Sequence, residues 1–71
     1  MSLSLRQWRL IKEISQEKMA QMLEISRDTY ISWEKNPSKI SIANGQKIAD
    51  CLGISFNDII FLSETQHNVD N

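Results

Sequence analysis

Two short helical patterns, Gln16 to Leu23 and Arg27 to Lys35, are separated by only Glu24-Ile25-Ser26. Helices joined this tightly must cross steeply, and their axes come close near the middle of the first. A small residue is needed at that point, and Ala20 supplies it. The spacing turns Met19, Ala20 and Leu23 inward from the first helix, and Tyr30 and Trp33 inward from the second. Leu23, Ile25, Tyr30 and Trp33 then close a wedge of core between them.

The remaining punctuation is also helical. Ser15, Ser26, Ser41 and Ser55 each precede a helix-like segment and can accept a hydrogen bond from a free N–H of its first turn. A first helix is expected from about Ser4 to Glu13, with Leu5, Trp8 and Ile11 as its apolar stripe. Asn36-Pro37 ends the third, since Asn tolerates the left-handed conformation and Pro cannot continue a helix. A fourth is expected from Ile42 to Leu52, burying Ile42, Ile48, Ala49 and Leu52 and stopping at Gly53. A fifth is expected from Phe56 to about Leu62, with Phe56, Ile59 and Ile60 inward. Residues 63–71 are polar and read as a frayed tail after a domain spanning residues 1–62. The fold class is therefore all-α, a compact bundle of five helices.

Seventy-one residues allow one domain with an economical core. A single Cys excludes an internal disulfide, and one Cys with one His falls short of a structural zinc site. Cys51 is expected to be an inert buried thiol, and Met1, Met19 and Met22 to serve packing. No apolar run approaches the roughly 20 residues of a membrane span. Residues Met1 to Arg6 lack a basic stretch followed by a long apolar core, so no signal peptide is expected there. No nucleophile–base pair, phosphate-cradling glycine loop or paired carboxylates emerge, so no enzyme activity, cofactor or metal is expected. His67 lies in the tail without catalytic partners. The lone Cys suits a reducing, cytoplasmic setting.

The net charge of −1 argues against a nucleic-acid partner, but its placement does not. Residues 1–47 hold all eight Lys and Arg against five acids, while residues 48–71 hold four acids and no Lys or Arg. One half of the chain is thus suited to face an anion. An excess of three is also compatible with ordinary surface solvation.

From Leu5 to about Phe61 the chain resembles the lambda-repressor-like helix-turn-helix domains, the Cro and phage-repressor type also called the XRE family. Ser15-Gln16-Glu17-Lys18-Met19-Ala20-Gln21-Met22-Leu23, Ile25-Ser26-Arg27, Trp33-Glu34-Lys35 and Ala49-Asp50-Cys51-Leu52-Gly53-Ile54-Ser55-Phe56-Asn57-Asp58-Ile59-Ile60 carry the likeness. It implies a helix-turn-helix at helices two and three, with the third helix in a DNA major groove. It also implies an ion pair between Arg9 and Glu34 that ties helix one to helix three as scaffold. Three positions depart from the family pattern. Glu24 and Asn36 stand where Gly is usual, and Gly45 stands where a mid-helix apolar residue is usual. A left-handed Glu24 would cost about 1 kcal/mol against Gly. Gly45 leaves a core position for Tyr30 or another large side chain to fill.

The resemblance places Arg27, Asp28, Thr29, Ile31 and Ser32 toward the bases. Arg27 can grip guanine O6 and N7, or rest on a phosphate or in solvent. Asp28 can accept from cytosine N4, or favour the helix dipole and repel a wrong base. Ile31 can pack on a thymine methyl or stay an exposed aliphatic. Ser32 can bond a base edge or a phosphate. Gln16, Ser26, Lys35, Asn36, Ser38 and Lys39 are the phosphate candidates, with a capping role as the alternative for Gln16.

The expected function is sequence-specific binding of a double-stranded DNA operator by a small prokaryotic or phage-type regulator, most simply a repressor, in a nucleoid-associated location. A homodimer on a two-fold operator is expected, joined through the fifth helix near Phe61 and Leu62. Two alternatives stay open. One is the antitoxin of a toxin–antitoxin pair, binding its toxin through residues 63–71. The other is a protein-interaction module that has lost DNA, suggested by the pI of 5.7 and by Asp28.

Overall fold

A serine opens every α-helix of the computed structural model, which describes residues 1–62. The helices are α1 (Leu5–Ile11), α2 (Gln16–Leu23), α3 (Arg27–Lys35) and α4 (Ile42–Leu52). The Ser15, Ser26 and Ser41 hydroxyls accept from the Lys18, Thr29 and Asn44 N–H groups at 3.0–3.1 Å. Ser4, missed as a cap in the sequence, forms a capping box with Gln7. Each such cap is worth about 1 kcal/mol.

The helix ends are equally local. Glu24 (φ 60°, ψ 42°) and Gly53 (φ 70°, ψ 35°) are left-handed and stop α2 and α4. Glu13 is also left-handed, with φ 58°, just past α1. Ile14, Ile25 and Ile54 N–H groups reach back to the Arg9, Ala20 and Ala49 carbonyls at 3.0–3.1 Å, which closes each helix end. Asn36 is not left-handed, contrary to expectation. Its φ of −133° is extended, because the ring of Pro37 bars the helical region to the residue before it. Pro37–Lys39 form a 3-10 turn.

The fifth helix does not form. Phe56–Asp58 make one 3-10 turn, and Ile59–Ile60 extend as β2, pairing in parallel with Leu3–Ser4, which is β1. Leu3 pairs with Ile59 and Ser4 with Ile60. Trp8 Nε1 donates to the Asp58 carbonyl at 2.6 Å, capturing an acceptor that a continuing helix would have used. Two β-branched residues beside a waiting partner strand then favour extension. Among the described residues the fold is therefore mostly helical, as expected, but with four α-helices and one short strand pair in place of five helices.

The core comprises Leu5, Trp8, Met19, Ala20, Leu23, Tyr30, Ile48, Ala49, Leu52 and Ile59. Ala20 sits in it as expected; Ile25, Trp33, Cys51 and Phe56 pack on its edge, only partly buried. Ile11 and Ile42, expected inside, are 55% and 80% exposed. Each is a terminal residue of its helix, beyond the reach of the packed face. Ile60 is exposed while Ile59 is buried, because a strand alternates where a helix would have turned both inward. Met1 and Met22 also face solvent, and only Met19 serves the core. The space at Gly45 is filled not by Tyr30 but by the stacked rings of Phe56 and Phe61, with centroids 5.0 Å apart. Phe61 is thereby half-buried against its own chain, and Leu62 alone of that expected dimer pair is exposed. The expected tail at residues 63–71, with His67, lies outside the described residues.

Candidate nucleic-acid interface

α3 has a buried side and an open side. At 3.6 residues per turn, Tyr30, Trp33 and Glu34 point toward α1, α2 and the core. Asp28, Ser32 and Lys35 lie diametrically opposite, with Arg27 and Ile31 along one flank and Thr29 along the other. Arg27, Asp28, Thr29, Ser32 and Lys35 are exposed, and Ile31 is half-buried. The residues that the resemblance implies for base contact thus share the outer side of α3, with Ile31 partly covered. Ser26, Asn36, Ser38 and Lys39 are exposed at the two ends of α3 and in the 3-10 turn after it.

The hydroxyls on this surface are partly committed. Ser26 Oγ caps α3 through the Thr29 N–H and donates to Thr29 Oγ1 at 2.9 Å. Ser32 Oγ donates to the Thr29 carbonyl at 2.7 Å.

The orientation of α3 is held from behind. Arg9 Nε donates to Glu34 Oε2 at 2.6 Å, and Nη2 to Oε1 at 3.4 Å. Arg9 Nη1 donates to the Ile14 carbonyl at 2.9 Å, which reaches the turn between α1 and α2. Gln16 Nε2 donates to Glu34 Oε1 at 3.0 Å. One carboxylate therefore joins the end of α1, the start of α2 and the end of α3. The Gln16 side chain, expected at a phosphate or a cap, is occupied inside the fold by its amide nitrogen. No spacing rule relates Gln16 to Glu34, so only the packed helices reveal that bond. Gln16 also lines a shallow recess with Arg9, Ser15, Glu17 and Arg27, where α2 and α3 both begin.

Electrostatics follows from this enclosure. Burial pushes the Glu34 carboxyl up, but hydrogen bonds, that of Arg9 foremost, outweigh it and hold the group below the usual carboxylate range. Glu34 raises the Arg9 guanidinium further, against the burial that opposes it. The Tyr30 hydroxyl is shut off from water nearby and meets no partner at full hydrogen-bond geometry. Burial first, and the neighbouring Glu34 second, raise its ionisation far above the ordinary tyrosine value. Among the described residues no group of three His, Cys, Asp or Glu side chains is placed to hold a metal ion. None of the described helices is long and apolar enough to cross a membrane.

A helix-turn-helix family model matches residues 5–59. Among solved structures, the chain is similar to the crystal structure of a hypothetical transcription factor, NHTF, from Neisseria. The two are 25% identical, with a TM-score of 0.71 over 89% of this chain and 70% of that one. No curated protein matches the sequence.

Proposed function

The chain belongs to the helix-turn-helix family, and on that premise we propose that it binds double-stranded DNA sequence-specifically as a small transcriptional regulator. One observation supports this above the others. The face of α3 opposite the core is exposed from Arg27 to Lys35, while Arg9 and Glu34 hold the helix rigidly behind it. A rigid helix with an open polar face fits the major groove.

In this reading residues 1–62 are the DNA-binding unit. Arg27, Asp28, Thr29, Ile31 and Ser32 meet base edges. Gln16, Ser26, Lys35, Asn36, Ser38 and Lys39 flank the phosphates, with Gln16 offering its amide while remaining tied to Glu34. The mode of regulation is repression by occupancy, in keeping with the likeness to phage repressors. Few contacts are available to one copy, so two copies act on half-sites about 34 Å apart or a multiple of it. The exposed Ile60 and Leu62 are apolar surface available to that contact.

Selection of bound duplexes from a random library tests the proposal, combined with a salt titration on the recovered site. A recovered palindrome and a log–log salt slope of about −0.9 per phosphate contacted are expected. One specific feature favours the second reading, a protein-interaction module: Asp28 sits at the centre of the open face. Failure to retain any duplex at low salt decides for that reading.

A further inference from the structure

The hydroxyl of Ser32 is engaged within its own helix. Its single proton is given to the Thr29 carbonyl at 2.7 Å, so only oxygen lone pairs face outward. Asp28 stands four residues earlier, on the same line of the helix and equally exposed. Its carboxylate also offers only acceptors. Both lie at the middle of the open face, with the donor Arg27 on one flank and Thr29 on the other.

We propose that Asp28 and Ser32 form an acceptor-only strip that selects exocyclic amino groups in the major groove, adenine N6 or cytosine N4. The inference rests on the DNA-binding reading above and deepens it. In the major groove those two amines are the N–H donors that base pairs present; guanine O6 and N7, thymine O4 and adenine N7 are acceptors. An acceptor facing an acceptor is repelled, so the strip rejects a base as well as choosing one. The carboxylate strengthens this sign selection, because beside phosphates it is tolerated only where a donor meets it. Asp28 and Ser32 are about 6 Å apart along the axis, against 3.4 Å between stacked base pairs, so they address different positions of one site.

The test begins with duplex selection for the full chain and for Ser32→Ala, a change on an exposed helix face that leaves the fold intact. The position whose preference relaxes in Ser32→Ala is then rebuilt in the selected duplex without its amine. Purine replaces adenine in one arm, and pyrimidin-2-one replaces cytosine in the other. The unmodified protein is expected to lose about fivefold in affinity in one arm, the factor of a single neutral hydrogen bond. Ser32→Ala is expected to lose nothing there, and Asp28→Asn to relax a different position. An unchanged selection by Ser32→Ala overturns the inference while leaving DNA binding in place. Equal losses by both proteins in the amine-deleted duplex do the same. A chain that enriches no duplex overturns the DNA-binding reading itself and the inference with it.

Discussion

Arg9 Nε and Glu34 Oε2 lie 2.6 Å apart although 25 residues separate them, and their side chains are only 10% and 5% exposed. Neither charge has water to fall back on. Removing one partner of such a pair strands the other and costs about 3–5 kcal/mol. Domains of this size rarely hold more than about 3–5 kcal/mol in total. Arg9→Ala and Glu34→Ala are therefore each expected to unfold the domain at 25 °C, as read by far-UV circular dichroism. Arg9→Met combined with Glu34→Leu is expected to keep the fold. Single variants whose urea midpoints stay near that of the unmodified chain would show the pair to be dispensable.

The same enclosure sets the dependence on pH. The Glu34 carboxyl is held below its ordinary value of 4.5, so its contribution is complete above that value. It is lost as pH falls through the lower folded-state value, because the unfolded chain binds the proton first. Tyr30 acts at the other end. Its folded-state ionisation is raised above the ordinary 10.0, so stability is full below pH 10 and declines above it, where the unfolded chain ionises first. Denaturant midpoints measured from pH 3 to 11 are expected to fall at both ends. Tyr30→Phe is expected to flatten the alkaline limb and to cost nothing at neutral pH, since its hydroxyl lacks a full hydrogen bond. A loss above about 1 kcal/mol at neutral pH counts against that assignment.

Glu24 adopts a left-handed conformation that glycine takes without penalty. Glu24→Gly is expected to stabilise the domain by about 1 kcal/mol, raising Tm by about 4–8 °C. Glu13→Gly is expected to act in the same direction, since Glu13 shares the geometry. Calorimetry showing either variant to melt lower would mean that these glutamates make compensating contacts.

Gly45 illustrates propensity overruled by packing. Alanine in a helix interior is favoured over glycine by about 1 kcal/mol. A Cβ at this position, however, would lie 2.7 Å from Phe56 Cε2 and 3.0 Å from Phe61 Cζ. Gly45→Ala is expected to lower stability by about 1–3 kcal/mol as the rings are displaced. Adding Phe56→Leu to that variant is expected to recover part of the loss. A Gly45→Ala protein with a higher Tm would show that the aromatic pair moves freely.

On DNA, two kinds of side chain are expected to separate cleanly. Arg27→Ala should cost about 1–3 kcal/mol on the selected duplex and relax one base position. Lys39→Ala should weaken all duplexes alike and reduce the salt slope by about 0.9. Equal effects on specific and unrelated duplexes for Arg27→Ala would move that residue to the phosphates.

Local chemistry made α2, α3 and α4 legible to the residue. Their signals lie within a few positions of each boundary: a serine that caps, an apolar period of 3.6, and a residue or proline that stops the helix. The set from Arg27 to Ser32 came from the family resemblance; of it Arg27, Asp28, Thr29 and Ser32 are exposed and Ile31 is half-buried. Long-range pairings decided the rest. Ile59 and Ile60 continue a helical apolar pattern in the sequence, yet they extend because Leu3 and Ser4 lie alongside and Trp8 takes the Asp58 carbonyl. The Phe56–Phe61 stack over Gly45 and the bond from Gln16 to Glu34 likewise exist only once separate segments are packed together. A chain specifies its helices through near neighbours, whereas contacts between distant segments take shape only when those helices meet.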